Sequence, residues 1–160
     1  MPDSNEISYP GVGVAVGGLL GFVGVFLKWF AYSYPVVGGT VTIQLNGTED
    51  WTGRVAVVAG VAAFAFGCAY VLLSDPMIRK VCLGFMGIGS IFTLAMGIAG
   101  LFRSTQAVGV PFLPGATGKV PVSIGQAGGV YLSIAGGVLA VAATVVALQR
   151  QSQPQPMPSA

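Results

Sequence analysis

The side chains that most often do chemistry in proteins are scarce in this sequence. Its 160 residues include no histidine, five acidic residues and two cysteines, Cys68 and Cys82. Histidine is the commonest general base and metal ligand, so its absence removes most catalytic and metal-binding arrangements. Two thiols without a histidine or a nearby carboxylate supply too few ligands for a structural zinc site. We therefore expect no catalytic residue, no metal site and no enzyme activity.

Closely spaced glycines are the other feature that could hold a cofactor. Gly11 with Gly13, and Gly87 with Gly89, each make a Gly-x-Gly step. A dinucleotide-binding fingerprint needs a third glycine and a strand in front of it, and both steps lie instead in apolar stretches. We expect no bound cofactor.

The composition indicates that this chain lies in a membrane. Hydrophobic residues make up 54% of it, charged residues only 8%, and the mean hydropathy is +0.81. Soluble domains carry about 25% charged residues, so the apolar excess must face membrane lipid. Seven basic and five acidic residues give a net charge of +2. That charge is too small and too scattered for a nucleic-acid partner.

A helix that crosses a membrane needs about 20 consecutive apolar residues, and this sequence contains four such stretches. The predicted spans are residues 10–32, 55–73, 81–102 and 128–148. The predicted fold class is therefore all-α, a four-transmembrane-helix bundle that occupies residues 10–148. Residues 1–9 form a short N-terminal segment. Residues 149–160 are rich in Gln, Pro and Ser and predict a disordered tail.

The positions of Lys and Arg give the orientation. Arg79, Lys80 and Arg150 lie at one end of the predicted bundle, and Lys28, Arg54, Arg103 and Lys119 lie at the other. Adjacent charges in the short turn at residues 74–80 count for more than charges spread over long loops. We expect a multi-pass plasma-membrane protein with cytoplasmic termini and with external loops at residues 33–53 and 103–127.

The first external loop carries a strand pattern. Apolar and polar residues alternate from Gly39 to Asn46, as in a half-buried strand, and Asn46-Gly47 is a turn signal. One interpretation is a small extracytoplasmic β element built from both loops. The other is a pair of irregular loops held at the membrane surface by aromatic residues. The predicted interface anchors are Lys28, Trp29 and Trp51.

Each predicted span presents small residues at four-residue spacing. Helices in lipid associate through close backbone approach, which small residues permit. In the first span these residues are Gly13, Gly17 and Gly21. Such a ridge either packs the chain's own helices together or docks on a helix of a partner. The docking interpretation makes these three glycines the predicted partner site.

No ionisable side chain lies well inside a predicted span. Proton-coupled or ion-coupled transport needs a titratable group there, so we do not expect this chain to perform coupled transport by itself. The hydroxyls of Ser90, Thr93 and Ser133 either line a polar path or bond back to their own helices.

The layout of the chain resembles a known group of proteins. A glycine-rich first span ending in FLKWFAYSYP is followed by TVTIQLNGTEDWTG, three further spans and a Pro/Gln-rich tail. Over residues 10–150 this layout resembles small four-span membrane proteins of actinobacteria, and it is most similar to the LucB accessory subunits of the mycobacterial Mce lipid importer. The resemblance implies a lipid-uptake complex of the cell envelope in which Mce proteins, permeases and an ATPase perform transport. It carries over no catalytic or ligand-binding residue.

These observations predict a non-catalytic accessory subunit of a hetero-oligomeric membrane transporter complex. The subunit would stabilise or regulate the complex by helix packing, and an Mce-type lipid importer is the expected complex. One alternative is a self-associating small channel or carrier, with a path between protomers lined by Ser90, Thr93 and Ser133. Another is an accessory subunit of a respiratory complex.

Overall fold

A computed structural model describes residues 9–36, 38–103 and 123–152, and these contain four long helices and three strands. The helices are α1 (Tyr9–Phe26), α2 (Trp51–Leu72), α3 (Pro76–Arg103) and α4 (Gly128–Ser152). The strands are β1 (Lys28–Val36), β2 (Gly39–Asn46) and β3 (Ser123–Gln126), and a 3₁₀ turn, Gly47–Glu49, joins β2 to α2.

All four helices are long enough and apolar enough to cross a membrane. The shortest has 18 residues and the longest has 28, a range that matches a hydrocarbon core about 30 Å thick. The predicted number of helical spans is confirmed at this level. The predicted small β element is also confirmed, as a three-stranded sheet.

Local capping sets where two of the helices begin. The Asp50 carboxylate accepts a hydrogen bond from Thr52 N at 3.3 Å, so α2 begins at Trp51. The Asp75 carboxylate accepts from Met77 N at 2.7 Å, and Pro76 occupies the first helical position. The predicted spans started later because they were counted from the first uninterrupted apolar run.

The predicted ends of the first and last spans are wrong. Helix α1 ends at Phe26, and the residues from Lys28 onward belong to β1. Helix α4 continues to Ser152, so residues 149–152 are helical and not disordered. Residues 1–8 and 153–160, and most of the predicted loop at 103–127, lie outside the described residues.

The four helices form a bundle in which each helix packs mainly on two neighbours. Helix α1 packs on α2 and α4, and α3 packs on the same two helices. A Cβ on Gly17 would lie 2.6 Å from the carbonyl oxygen of Gly136 in α4, and one on Gly18 would lie 2.6 Å from Phe64 N in α2. Consecutive glycines of α1 thus give the backbone close contact with two helices at the same level.

The sheet joins the two loops at one end of the bundle. Its order is β2-β1-β3, and both pairings are antiparallel. Tyr32 in β1 lies opposite Ile43 in β2 and Ile124 in β3. The central strand therefore follows directly from α1, while its neighbours come from the two predicted external loops.

Replacing Gly17 with Leu should destabilise the bundle. The new side chain has no space between α1 and α4, and overpacking of this kind costs about 1–3 kcal/mol. The matched control is Gly84→Leu, because a Cβ on Gly84 meets nothing within 4 Å. Thermal unfolding in detergent should show a lower midpoint for Gly17→Leu only. Equal midpoints for the two variants would show that the Gly17 position is not closely packed against α4.

Candidate docking site

A bulge at the start of β1 turns Trp29 into the bundle. Lys28 lies opposite Asn46 and Phe30 lies opposite Leu45, so β1 has one extra residue at this point. A bulge of this kind changes the direction in which a side chain projects. Trp29 and Phe30 are consecutive and both buried, and Trp29 is completely buried.

Glycines from three other elements surround the Trp29 ring. A Cβ on Gly47, Gly100 or Gly129 would lie within 2.6–2.9 Å of a ring atom. The indole Nε1 donates to Gly24 O at 2.9 Å, and the backbone oxygen of Trp29 accepts from Ala127 N at 2.9 Å. We call Gly47, Gly100 and Gly129 the glycine cradle. Through it one side chain joins the sheet to α3 and α4.

The prediction that Trp29 is an interface anchor is wrong, because the cradle covers its ring. Trp51, at the start of α2, is 54% exposed, and Lys28 is exposed at the start of β1. Both side chains lie at the end of the helical bundle that carries the sheet. Their roles as interface anchors stay predictions.

The predicted partner ridge on α1 faces the chain's own helices. A Cβ on Gly13 would lie 2.8 Å from Ala143 Cβ in α4, and one on Gly21 would lie 2.5 Å from Thr93 Cγ2 in α3. Gly17, between them, packs on Gly136 and Ala140. The prediction that a partner helix docks on this ridge is therefore wrong, because the three glycines pack the helices of the chain itself against one another.

Four buried hydroxyls within the bundle are bonded to backbone carbonyls. Ser90, Thr93 and Thr144 each donate to the carbonyl four residues earlier, at 2.7–2.9 Å. Ser133 donates across to Gly21 O in α1 at 3.2 Å. All four side chains are buried among the helices of one chain. This geometry favours the bonding interpretation over a polar path.

The two cysteines do not form a disulfide with each other. Cys68 is half-buried, Cys82 is buried, and both are free thiols. Within residues 9–36, 38–103 and 123–152 there is no group of three or more His, Cys, Asp or Glu side chains that could hold a metal ion. The expectation that the chain is not an enzyme stays a prediction.

Strand β2 has one open edge and two exposed faces. It pairs with β1 on one side, and no other described strand pairs with it. Val41 is 40% exposed and Ile43 is 46% exposed, although their alternation predicted a half-buried strand. The segment GTVTIQLN contains no charged residue and no proline. We call Val41, Ile43 and the outer backbone edge of β2 the β2 edge surface.

An edge strand of this composition can accept another strand. Its outer N–H and C=O groups can form hydrogen bonds with a further strand, and its apolar side chains can give that pairing specificity. The hairpin that presents it is held in place, since Ser33 Oγ and Thr42 Oγ1 share a hydrogen bond of 2.9 Å and Trp29 anchors β1. The absence of charge from this segment is the sequence feature that could have indicated a candidate site here.

A comparison of the chain with protein-family models and with curated proteins finds no match.

Replacing Trp29 with Ala should release the sheet from the helices. Truncating a fully buried large aromatic residue costs about 3–5 kcal/mol, and here the loss falls on the contact between β1 and the glycine cradle. Hydrogen–deuterium exchange should become faster in β1 and β2. The matched control is Trp51→Ala, which removes an exposed tryptophan. Equal exchange in both variants would show that Trp29 does not anchor the sheet.

Proposed function

We propose that this protein is a non-catalytic accessory subunit of a larger membrane complex and that it docks on its partner through the β2 edge surface. The exposed, uncharged edge of β2 is the observation that carries the proposal. Proteins protect such edges with lysine, proline, bulges or a covering element, and β2 has none of these devices among the described residues. A partner strand supplies the missing cover.

The anchoring of the hairpin makes this edge suitable for docking. Binding costs free energy when a surface must be ordered first, and a surface that is already fixed avoids that cost. Trp29 fixes β1 to α3 and α4 through the glycine cradle, and β1 positions β2 along its length. The helices thus act as a platform for the sheet.

The partner complex we propose is a lipid importer of the Mce type in the plasma membrane of an actinobacterium. The resemblance in layout supports this choice. The orientation we propose has cytoplasmic termini, because Arg79 and Lys80 lie at the α2–α3 turn, at the end of the bundle opposite the sheet. The sheet then faces the extracytoplasmic part of the partner, where the subunit stabilises or regulates the complex.

The channel alternative receives less support from the geometry. A path between protomers would need Ser90, Thr93 and Ser133 on the outer surface, and all three are buried inside one protomer. Their hydroxyls are also engaged with carbonyl oxygens. A respiratory accessory subunit fits the same surface as a transporter subunit, so identification of the partner separates these two alternatives.

The first experiment is purification of the tagged chain from its native host in mild detergent, followed by mass spectrometry of the proteins that accompany it. Mce proteins with a permease and an ATPase are the expected result. Respiratory subunits would keep the accessory role and replace the complex. Recovery of the chain alone, as a monomer or as an oligomer, would overturn the proposal.

Charges placed on the β2 edge surface should remove the partner. We expect Val41→Lys with Ile43→Lys to reduce co-purification at least about tenfold, because a partner strand would have to bury two unpaired ammonium groups. Thr40→Lys with Gln44→Lys adds the same charge to the opposite face of β2 and leaves Thr42 and its hydrogen bond intact. This control should keep the partner. Equal yields from the two double variants would exclude the β2 edge surface as the docking site.

A further inference from the structure

A groove runs along the outside of the bundle between α2 and α3. Its volume is about 470 Å³. Small residues form its floor and larger apolar residues form its walls, and one basic residue lies at its sheet end. The floor residues are Ala59, Ala62 and Gly89, the walls are Val55, Val58, Phe85, Ile88 and Phe92, and the basic residue is Arg54.

Close contact of the two helices at the floor produces this groove. A Cβ on Gly89 would lie 3.1 Å from Ala59 O and 3.1 Å from Ala63 N, so the backbones nearly touch there. Phe85 forms one wall and is held by a stack on Phe66, with ring centroids 4.7 Å apart. The groove is therefore a fixed feature of the packing between α2 and α3.

Arg54 is the one lining residue of this groove that carries a charge. Its side chain is exposed, and its Nε donates to Thr48 O at 3.0 Å. That bond uses one donor of the guanidinium, and the described residues offer it no ion pair. The two terminal nitrogens can therefore bind a ligand with the bidentate geometry that suits a phosphate group.

We infer that the α2–α3 groove binds one phospholipid from the leaflet on the sheet side. The phosphate binds to Arg54 and an acyl chain lies along the apolar walls. From Arg54 to Ala62 the helix rises about 12 Å at 1.5 Å per residue, which covers most of one leaflet of a core about 30 Å thick. Positive charge at one end of an apolar groove matches an amphiphile with an anionic head.

A second groove on the same protein lacks the charge. It lies between α1 and α2, has a volume of about 300 Å³, and is lined by apolar side chains and Cys68. This groove offers a bound lipid no charged side chain that could bind its phosphate. Of these two grooves, the α2–α3 groove is therefore the one that has a side chain able to bind a phosphate.

The inference is tested on the isolated, full-length chain in detergent by native mass spectrometry, so its outcome does not depend on the proposed partner complex. The probes are dioleoyl phosphatidylglycerol and dioleoylglycerol, which share acyl chains and differ by the phosphate-containing head. We expect one bound phosphatidylglycerol per chain and about tenfold weaker binding of dioleoylglycerol, since the charge-assisted bonds to phosphate are absent from it.

The variants separate the charge from the groove. Arg54→Gln should reduce binding of phosphatidylglycerol to the level of dioleoylglycerol. Arg54→Lys keeps the charge but loses the bidentate geometry, so it should retain only part of the binding. Lys28→Gln removes a charge from the same end of the bundle and should leave binding unchanged. Ala62→Phe fills the groove and should weaken both lipids, whereas Ala142→Phe, at an exposed site on α4, should weaken neither.

Three results would overturn the inference. The first is equal binding of the two lipids to the unaltered chain. The second is the same loss of phosphatidylglycerol in Arg54→Gln and in Lys28→Gln. The third is a chain that retains neither lipid.

Discussion

Close approach of backbone to backbone is the constraint on which the whole bundle depends. Apolar helices in lipid gain no hydrophobic free energy when they associate, so their contact energy comes from packing at short distance. Gly17 against Gly136 and Gly18 against Phe64 provide that distance on both sides of α1. The glycine cradle likewise allows close contact with an aromatic ring, because its three glycines have no side chains that would collide with Trp29. Packing of Trp29 in the cradle connects the sheet to the helices.

The sequence predicted the number of helices well because span length and apolar composition are local properties. It failed at the end of α1, where the apolar aromatic residues after Lys28 prolong a hydropathy signal although the backbone has become a strand. The bulge and the cradle that bury Trp29 depend on Gly47, Gly100 and Gly129, which are distant in sequence. Hydropathy gives no period that marks the inward face of helices that are apolar all round. The small residues at four-residue spacing in α1 did mark that face, but the sequence left open whether they pack the chain's own helices or a partner.

The candidate sites lie on the surface of the bundle and not within it. Among the described residues no buried side-chain polar atom lacks a hydrogen-bond partner, so the interior offers no spare group for a ligand. The alternation in β2 was visible in the sequence, but the exposure of both of its faces depends on how the sheet sits on the helices. The groove beside Arg54 needs residues of α3 that only the antiparallel packing of α2 and α3 brings alongside it.

The positions of the glycine-cradle residues along the chain also determine when the cradle can be completed during biosynthesis. Chains are made from the N-terminus, so Trp29 and Gly47 are synthesised before Gly100, and Gly129 follows last. Until α4 is inserted, the indole ring has only part of its cover, and β1 has not yet received β3 as its second neighbour. The sheet is therefore complete only after the segment directly before α4 has been made, and the cover of the indole ring is complete only when α4 itself packs against the bundle.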